Sequence, residues 1–375
     1  MKQKLLALIC AISLAFSLTG CLFSTPDSVG TIGTVDISSG LYLLAQYNAY
    51  QSAADLASSD QDTTDVKAFL KQTITVDSDS DETATVRDYV SRKTLENLET
   101  YAAVETRFDE LGGQLTAEEE QQADSYASQL MDQYGDAYKA NGIGLETVQR
   151  FERILLKSND LLELCYGADG ETPVSDAELT DHVENSMYAL AYYSIPLYNT
   201  STFAFANDDQ KAQMLALAQA AADATNAFAA ETSDTSTVMG YFSGQVTSAL
   251  PEIYKVLDST VPADSDAPQT ELIGDAALTS AFTAEGSADT IRSLTFGQAA
   301  AVQYNGYALL VALRLDPLAA NTLDNLRGQA LSDLKSDELT DALAQYGASL
   351  DHNLSSSAMN KMPVSRIVNS SNSNS

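Results

Sequence analysis

The sequence predicts an α+β protein: a mostly helical part made from its N- and C-terminal segments, with an antiparallel-sheet part inserted between them. Three observations predict this. Apolar residues recur at helical spacing through residues 36–166 and again from Thr322 onward. "MYALAYYSIPL", residues 187–197, instead alternates large and small side chains at a period of two, the mark of a strand. "AAAVQYNGYALLVALRLD" offers two more strands around Asn305 and Gly306, a pair suited to a type I′ turn. A chain of 375 residues with 45% apolar composition is long enough for two domains with a core each.

Residues 1–20 form a leader. Lys2 and Lys4 precede the apolar run "LLALICAISLAFSL", and "LTGC" closes it. "LTGC" resembles the lipobox of bacterial lipoproteins, which implies cleavage before Cys21 and attachment of lipid to it. Acyl chains at about 0.8 kcal/mol per buried methylene would anchor the protein without a spanning helix. Residues 21–35 read as a tether, rich in Ser, Thr, Gly and Pro.

Residues 36–170 read as an all-helical unit. A short extended piece leads to Ser39 as N-cap of a helix carrying Leu41, Leu44 and Ala45. Asp79 and Glu82 are spaced as a capping box for a second helix, and Thr116 and Glu119 for a third that Gly142 can close. Val148, Phe151, Leu155 and Leu162 form the stripe of a fourth. Residues 171–321 restart at Ser175 with Glu178 three positions on. The 187–197 strand follows, then an Ala-rich helix, a loop region with the acidic "DSTVPADSDAPQTE", and the hairpin. Residues 322–352 are helical again and are expected to return to the first unit. Residues 353–375 read as a tail, disordered at least in "NSSNSNS".

The charge is strongly acidic, 52 Asp and Glu against 20 Lys and Arg for a net −32, so nucleic acid is not an expected partner. Of three cysteines, Cys10 leaves with the leader and Cys21 takes lipid. Cys165 in "LLELCY" then remains as a small core residue. His182 and His352 read as solvated side chains, one on a helix and one in the tail. With two histidines no zinc centre or Cys–His catalysis is expected, and no cofactor. "DSDSDE", residues 77–82, has calcium-loop spacing but Glu82 where glycine is needed, and reads as a solvated helix start. Ser332 and Lys335 match a Ser-x-x-Lys spacing but lie on an ordinary amphipathic helix.

The order of these segments resembles the extracytoplasmic foldase lipoproteins of the PrsA type and the related SurA chaperones. The residues that carry the resemblance are the lipobox, "GTVDISSGLYLLAQ", "GIGLETVQRFERILL", "PVSDAELTDHVENS", "FAAETSD" and "LTFGQAAAVQYNGYALLVALRLD". The resemblance implies that residues 171–321 form a parvulin-like peptidyl-prolyl isomerase domain. The groove histidines of such domains would fall on Tyr192 or Tyr193, depending on a one-residue register, and on Ala308; Asp234 would take the carboxylate or thiol position. Neither histidine is present, so the isomerase domain is expected to be weak or inactive. The implied function is that of a membrane-anchored chaperone or foldase on the outer face of a bacterial cytoplasmic membrane, with unfolded or newly secreted polypeptides as partners. Two alternatives are a transporter's substrate-binding lipoprotein, which would need two α/β lobes, and a structural surface lipoprotein.

Overall fold

The structure, a computed structural model, describes residues 25–77, 80, 82–232, 234–263, 265–320 and 322–369. Cys21 and the leader lie outside the described residues, as does the end of the tail from residue 370. Two compact units divide the chain: one holds the residues up to 165, 169–171 and those from 337 on, the other 166–168 and 172–336.

The first unit opens on an antiparallel hairpin, β1 (Ser28–Ile32) and β2 (Val35–Ser38). Ser38 caps α1 (Ser39–Asp55), its Oγ accepting the Leu41 N–H at 3.2 Å. The cap thus falls one residue before the expected Ser39, whose hydroxyl donates instead to the Pro26 carbonyl. After a single turn, α2 (Val66–Phe69), a second hairpin follows, β3 (Thr73–Asp77) and β4 (Glu82–Thr85). Residues 36–166 are therefore not all helical. "TITVD" and "ETAT" are rich in β-branched side chains, which favour the extended backbone, and Glu82 stands in β4 rather than in a helix cap. Asp79, the expected N-cap, lies outside the described residues, and Thr85 caps the long α3 (Val86–Glu110).

Next come α4 (Ala117–Ala140) and α5 (Leu145–Tyr166). Here the expected signals hold: Thr116 and Glu119 form a reciprocal capping box, and Gly142 after the helix end has φ +75°. The core of this unit gathers Tyr50, Phe69, Ile74, Val90 and Ile143, with Tyr50 and Phe69 edge to face at 5.8 Å. Burial pushes the Tyr50 hydroxyl up to about 12.

The second unit begins with α6 (Asp176–Ser186), capped by Ser175 as expected, and passes straight into β5 (Met187–Pro196). Two long helices follow, α7 (Asp208–Ala229) and α8 (Thr235–Lys255), the second in a stretch expected to be loop. Then come β6 (Gln269–Gly274), the short α9 (Asp275–Ala281) and α10 (Ser287–Ser293), β7 (Ala299–Gln303) and β8 (Ala308–Leu315). The sheet runs β6–β5–β8–β7, antiparallel throughout.

The β7–β8 hairpin forms where it was expected, but its turn is not type I′. That turn needs positive φ at both central residues, and neither Asn305 nor Gly306 has it. Asn305 Oδ1 instead accepts the N–H groups of Tyr307 (2.8 Å) and Ala308 (3.0 Å), an Asx turn. The outer edge of β7 is closed by side chains of α7: Asn226 bonds both the N–H and the carbonyl of Ala299, and Gln219 accepts from Ala301 N–H.

A turn, α11 (Pro317–Ala320), leads to α12 (Leu323–Ser349). The residues beyond it, expected to be a tail, are ordered through 369. β9 (His352–Leu354) pairs with β1, α13 (Ser356–Met359) follows, and Val364 and Ile367 are buried in the core of the first unit. Gly30 makes the β1–β9 pairing possible: its φ is +120°, and a Cβ there would stand 2.1 Å from the Asn353 carbonyl oxygen. Asn141 secures the segment further by bonding both the carbonyl and the N–H of Val368 at 2.9 Å.

Candidate functional site

Strand geometry decides which side chains of the second unit can meet. Successive residues of β5 point to opposite faces of the sheet. Ala191, Tyr193 and Ile195 point to the face covered by α7 and α8, where they join Phe242, Val246, Val311 and Leu313 in a closed core. Tyr188, Leu190 and Tyr192 point to the other, with Leu278, Phe282, Leu310 and Ala312. Among the described residues, the short α9 and α10 and the segments around them pack on this second face.

The second face has an opening. A cavity of about 270 Å³ is lined by Tyr192, Ser194, Glu271, Phe282, Tyr304 and Leu310 among others. The rings of Phe282 and Tyr304 meet edge to face at 4.8 Å and form one wall. Tyr192 Oη donates to Glu271 Oε2 at 3.4 Å, and burial first, then the Glu271 charge, raises the tyrosine's pKa. The pocket sets this phenol against the Glu271 carboxyl, among apolar and aromatic side chains together with Ser194 and Gln269. No histidine lines it.

The expected groove positions separate on this frame. β5 and β8 are neighbours, with Tyr192 opposite Ala312 and Pro196 opposite Ala308, so Tyr192 and Ala308 share the open face four residues apart along the ladder. Tyr193 is on the closed face, its hydroxyl 2.8 Å from Ser243 Oγ and its ring against Phe242. Asp234 is exposed at the start of α8, where its Oδ1 accepts the Ser236 N–H at 3.1 Å. Hydrogen bonds from Thr237 and Ser236 hold its carboxyl below the usual carboxylate range. Of the four positions, then, Tyr192 and Ala308 share a face but stand roughly 13 Å apart along it, and only Tyr192 lines the cavity, while Tyr193 and Asp234 have local structural partners.

His352 is exposed, as expected from sequence, but lies in a strand, whereas His182 is largely covered. His182 on α6 is 13% exposed with Nε2 2.8 Å from Asp333 Oδ2, and His352 on β9 faces Glu99 at 3.4 Å. Periodicity alone could not show these partners, which come from distant segments. Cys165 is buried as expected, and burial pushes its thiol up.

Two features were missed in the sequence. Arg314 on β8 is 5% exposed, its guanidinium stacked 4.1 Å from the Tyr188 ring, with one nitrogen donating to the Met187 carbonyl at 2.9 Å. An apolar run, "ALLVAL", preceded it and gave no sign that a charge would be enclosed. The second is a cavity of about 460 Å³ in the first unit. Tyr42 and Gln46 of α1, Leu95 and Leu98 of α3, and His352 and Met359 from beyond α12 line it, so no contiguous motif could reveal it.

No protein-family model and no curated protein matches the chain. Solved structures do. It is similar to foldase protein PrsA from Streptococcus pneumoniae at 10% identity and a TM-score of 0.37, covering 76% of this chain and 96% of that one. It is also similar to the PrsA foldase protein from Lactococcus lactis at 11% identity and a TM-score of 0.33, covering 90% and 98%. The chain is similar in structure to PrsA foldase proteins over most of its length. Among the described residues no helix is long and apolar enough to cross a membrane.

Proposed function

We propose that the chain is an extracytoplasmic protein-folding factor, anchored by lipid on Cys21, that binds unfolded secreted polypeptides. The second unit is read as a parvulin-like domain whose isomerase activity is weak or absent. The observation that supports this reading is the antiparallel pairing of β5 with β8, which leaves Tyr192 on an open face, shared with Ala308, beside a cavity walled by Phe282 and Tyr304. Prolyl isomerisation needs no covalent step. It needs a pocket that desolvates the X-Pro amide and favours its twisted form over a barrier of about 20 kcal/mol. The cavity can take the proline ring, but the hydrogen-bonding groups are reduced to a phenol already engaged with Glu271. The loss of one or two groove hydrogen bonds, about 1–3 kcal/mol each, slows turnover by about one to four orders of magnitude.

A transporter's binding lipoprotein would need two lobes of alternating strands and helices, whereas every strand pairing among the described residues is antiparallel. A protease-coupled assay on a proline tetrapeptide tests the isomerase part. Turnover equal to that of a parvulin carrying both histidines, and abolished by Tyr192→Phe, would sink it. Suppression of aggregation of a reduced client tests the chaperone part; a chain that leaves aggregation unchanged is not a chaperone. Fatty-acid labelling of the wild type, lost in Cys21→Ala, tests the anchor.

A further inference from the structure

At one end of the second unit's sheet, four aromatic rings stand outside any core. After β5 the chain forms a loop, residues 198–207, whose Tyr198 bridges Phe205 and whose start is bonded to the β7–β8 turn, Leu197 N–H donating to the Tyr307 carbonyl at 2.8 Å. Phe203, Phe205 and Tyr307 are 70%, 57% and 64% exposed. Tyr198 stacks on Phe203 at 6.1 Å and 21° and meets Phe205 at 5.7 Å, and Phe205 meets Tyr307 at 5.7 Å. The rings therefore form a continuous exposed row, where scattered single apolar residues would need no explanation.

The row is held rigidly, and at a cost. Among the described residues, the non-glycine residues with positive φ are Phe203 (+56°) and Asp258 (+49°). Asn199 ties the two together. Its Oδ1 accepts the N–H groups of Ser201 and Thr202 at 2.9 Å, and its Nδ2 donates to the carbonyls of Leu257 (2.8 Å) and Asp258 (3.2 Å). Strain that persists because surrounding bonds over-determine it is characteristic of binding surfaces.

We propose that this aromatic row docks unfolded polypeptide segments that carry aromatic or aliphatic side chains together with Lys or Arg. The charge around it selects that occupant. Residues 198–207 and 304–307 hold no charged side chain. The rim is acidic on balance: Asp208 and Asp209 open α7 and Asp258 stands on the bracing loop, while of the two lysines nearby Lys211 is 3.7 Å from Asp208 and Lys255 pairs with Glu252 at 3.2 Å. On a chain of net charge −32 such a rim repels anionic lipid headgroups and favours basic residues flanking an apolar anchor. Tyr and Phe give large contact area with few rotatable bonds, so docking loses little side-chain entropy. The proposal rests on reading the chain as a folding factor and adds which segments it takes and where.

The test uses the full chain, a labelled 15-residue peptide of Phe, Lys, Gly and Ser, the same peptide with Glu for Lys, and vesicles of phosphatidylcholine. The expected results are binding of the Lys peptide, at least tenfold weaker binding by the Phe203→Ser/Phe205→Ser variant, and at least fivefold weaker binding of the Glu peptide. Phe203→Gly, which relieves the positive φ, must also weaken binding, so a loss cannot be put down to misfolding. Unchanged peptide affinity in these variants overturns the proposal, as does equal affinity for the Glu peptide. A variant that keeps the peptide but loses vesicle binding shows a bilayer contact instead. Suppression of aggregation of the reduced insulin B chain separates the two readings: if it persists in variants whose peptide affinity is unchanged, this surface is wrong and the folding-factor reading stands. A wild-type chain that neither suppresses aggregation nor binds the peptide removes both.

Discussion

Tyr192 and Tyr193 are consecutive in sequence and the same in chemistry, yet they occupy opposite worlds. Tyr193 is packed on Phe242 under two long helices, with its hydroxyl on Ser243. Tyr192 reaches a cavity, with its hydroxyl on the exposed Glu271. The closed face has helices of 22 and 21 residues over it, the open face two helices of 7. One face can supply the stability of the unit, which leaves the other free to keep an unfilled pocket. The pleat of one strand makes this division, residue by residue.

The largest way to break the comparison is to truncate each face in turn. Phe242→Ala, at a fully buried position, is expected to destabilise the second unit by about 3–5 kcal/mol. Phe282→Ala, which only widens an existing cavity, should fall at or below the bottom of that range. Thermal unfolding followed by circular dichroism checks both, and equal losses would mean that the open face is as tightly filled as the closed one. A second test concerns the strained edge. Phe203→Gly is expected to stabilise by about 1 kcal/mol, because glycine accepts positive φ without the clash that a Cβ meets. A fall in melting temperature would show that the exposed ring packs more than it strains.

Hydroxyl removal sharpens the contrast further. Tyr193→Phe should lose about 1 kcal/mol, leaving the half-buried Ser243 without its partner, whereas Tyr192→Phe should change stability by less than about 0.5 kcal/mol. The smallest effect expected is in acid. On the open face the Arg292 guanidinium holds the Asp275 carboxyl below the ordinary range, donating to it at 2.7 Å. Because the folded pKa is depressed, this pair's contribution is present above the unfolded carboxylate pKa and is lost as pH falls through the folded one. The melting-temperature gap between wild type and Asp275→Asn should therefore be open at neutral pH and close in acid. A gap that widens on acidification contradicts the assignment.

Elements with strong local signals were legible. Thr116 and Glu119, Ser175, and the alternation of residues 187–197 each specify a structure within a few residues, and each appears where expected. The misses have local causes too. Helix α8 contains Gly240, Gly244, Pro251 and several β-branched residues, all poor helix formers, and it forms because Val238, Phe242, Val246 and Leu250 bury one stripe against the sheet. Strand β6 reads as "QTELIG", without clear alternation, and is made a strand by its pairing with β5. At the candidate site, sequence alone could not separate Tyr192 from Tyr193, since a one-residue slip exchanges the faces.

By itself the sequence determined the α+β class, the acidic surface, the capped helices and the central strand, because each depends on composition or on contacts within a few residues. Tertiary structure alone decided which tyrosine meets the cavity, which partners the two histidines take, and that the segment after α12 completes the first unit. Each of those joins residues that are distant in the chain: Tyr192 with Phe282, His182 with Asp333, Gly30 with Leu354. Such pairings depend on strand register and on how whole elements bury their apolar faces, and no local spacing encodes either.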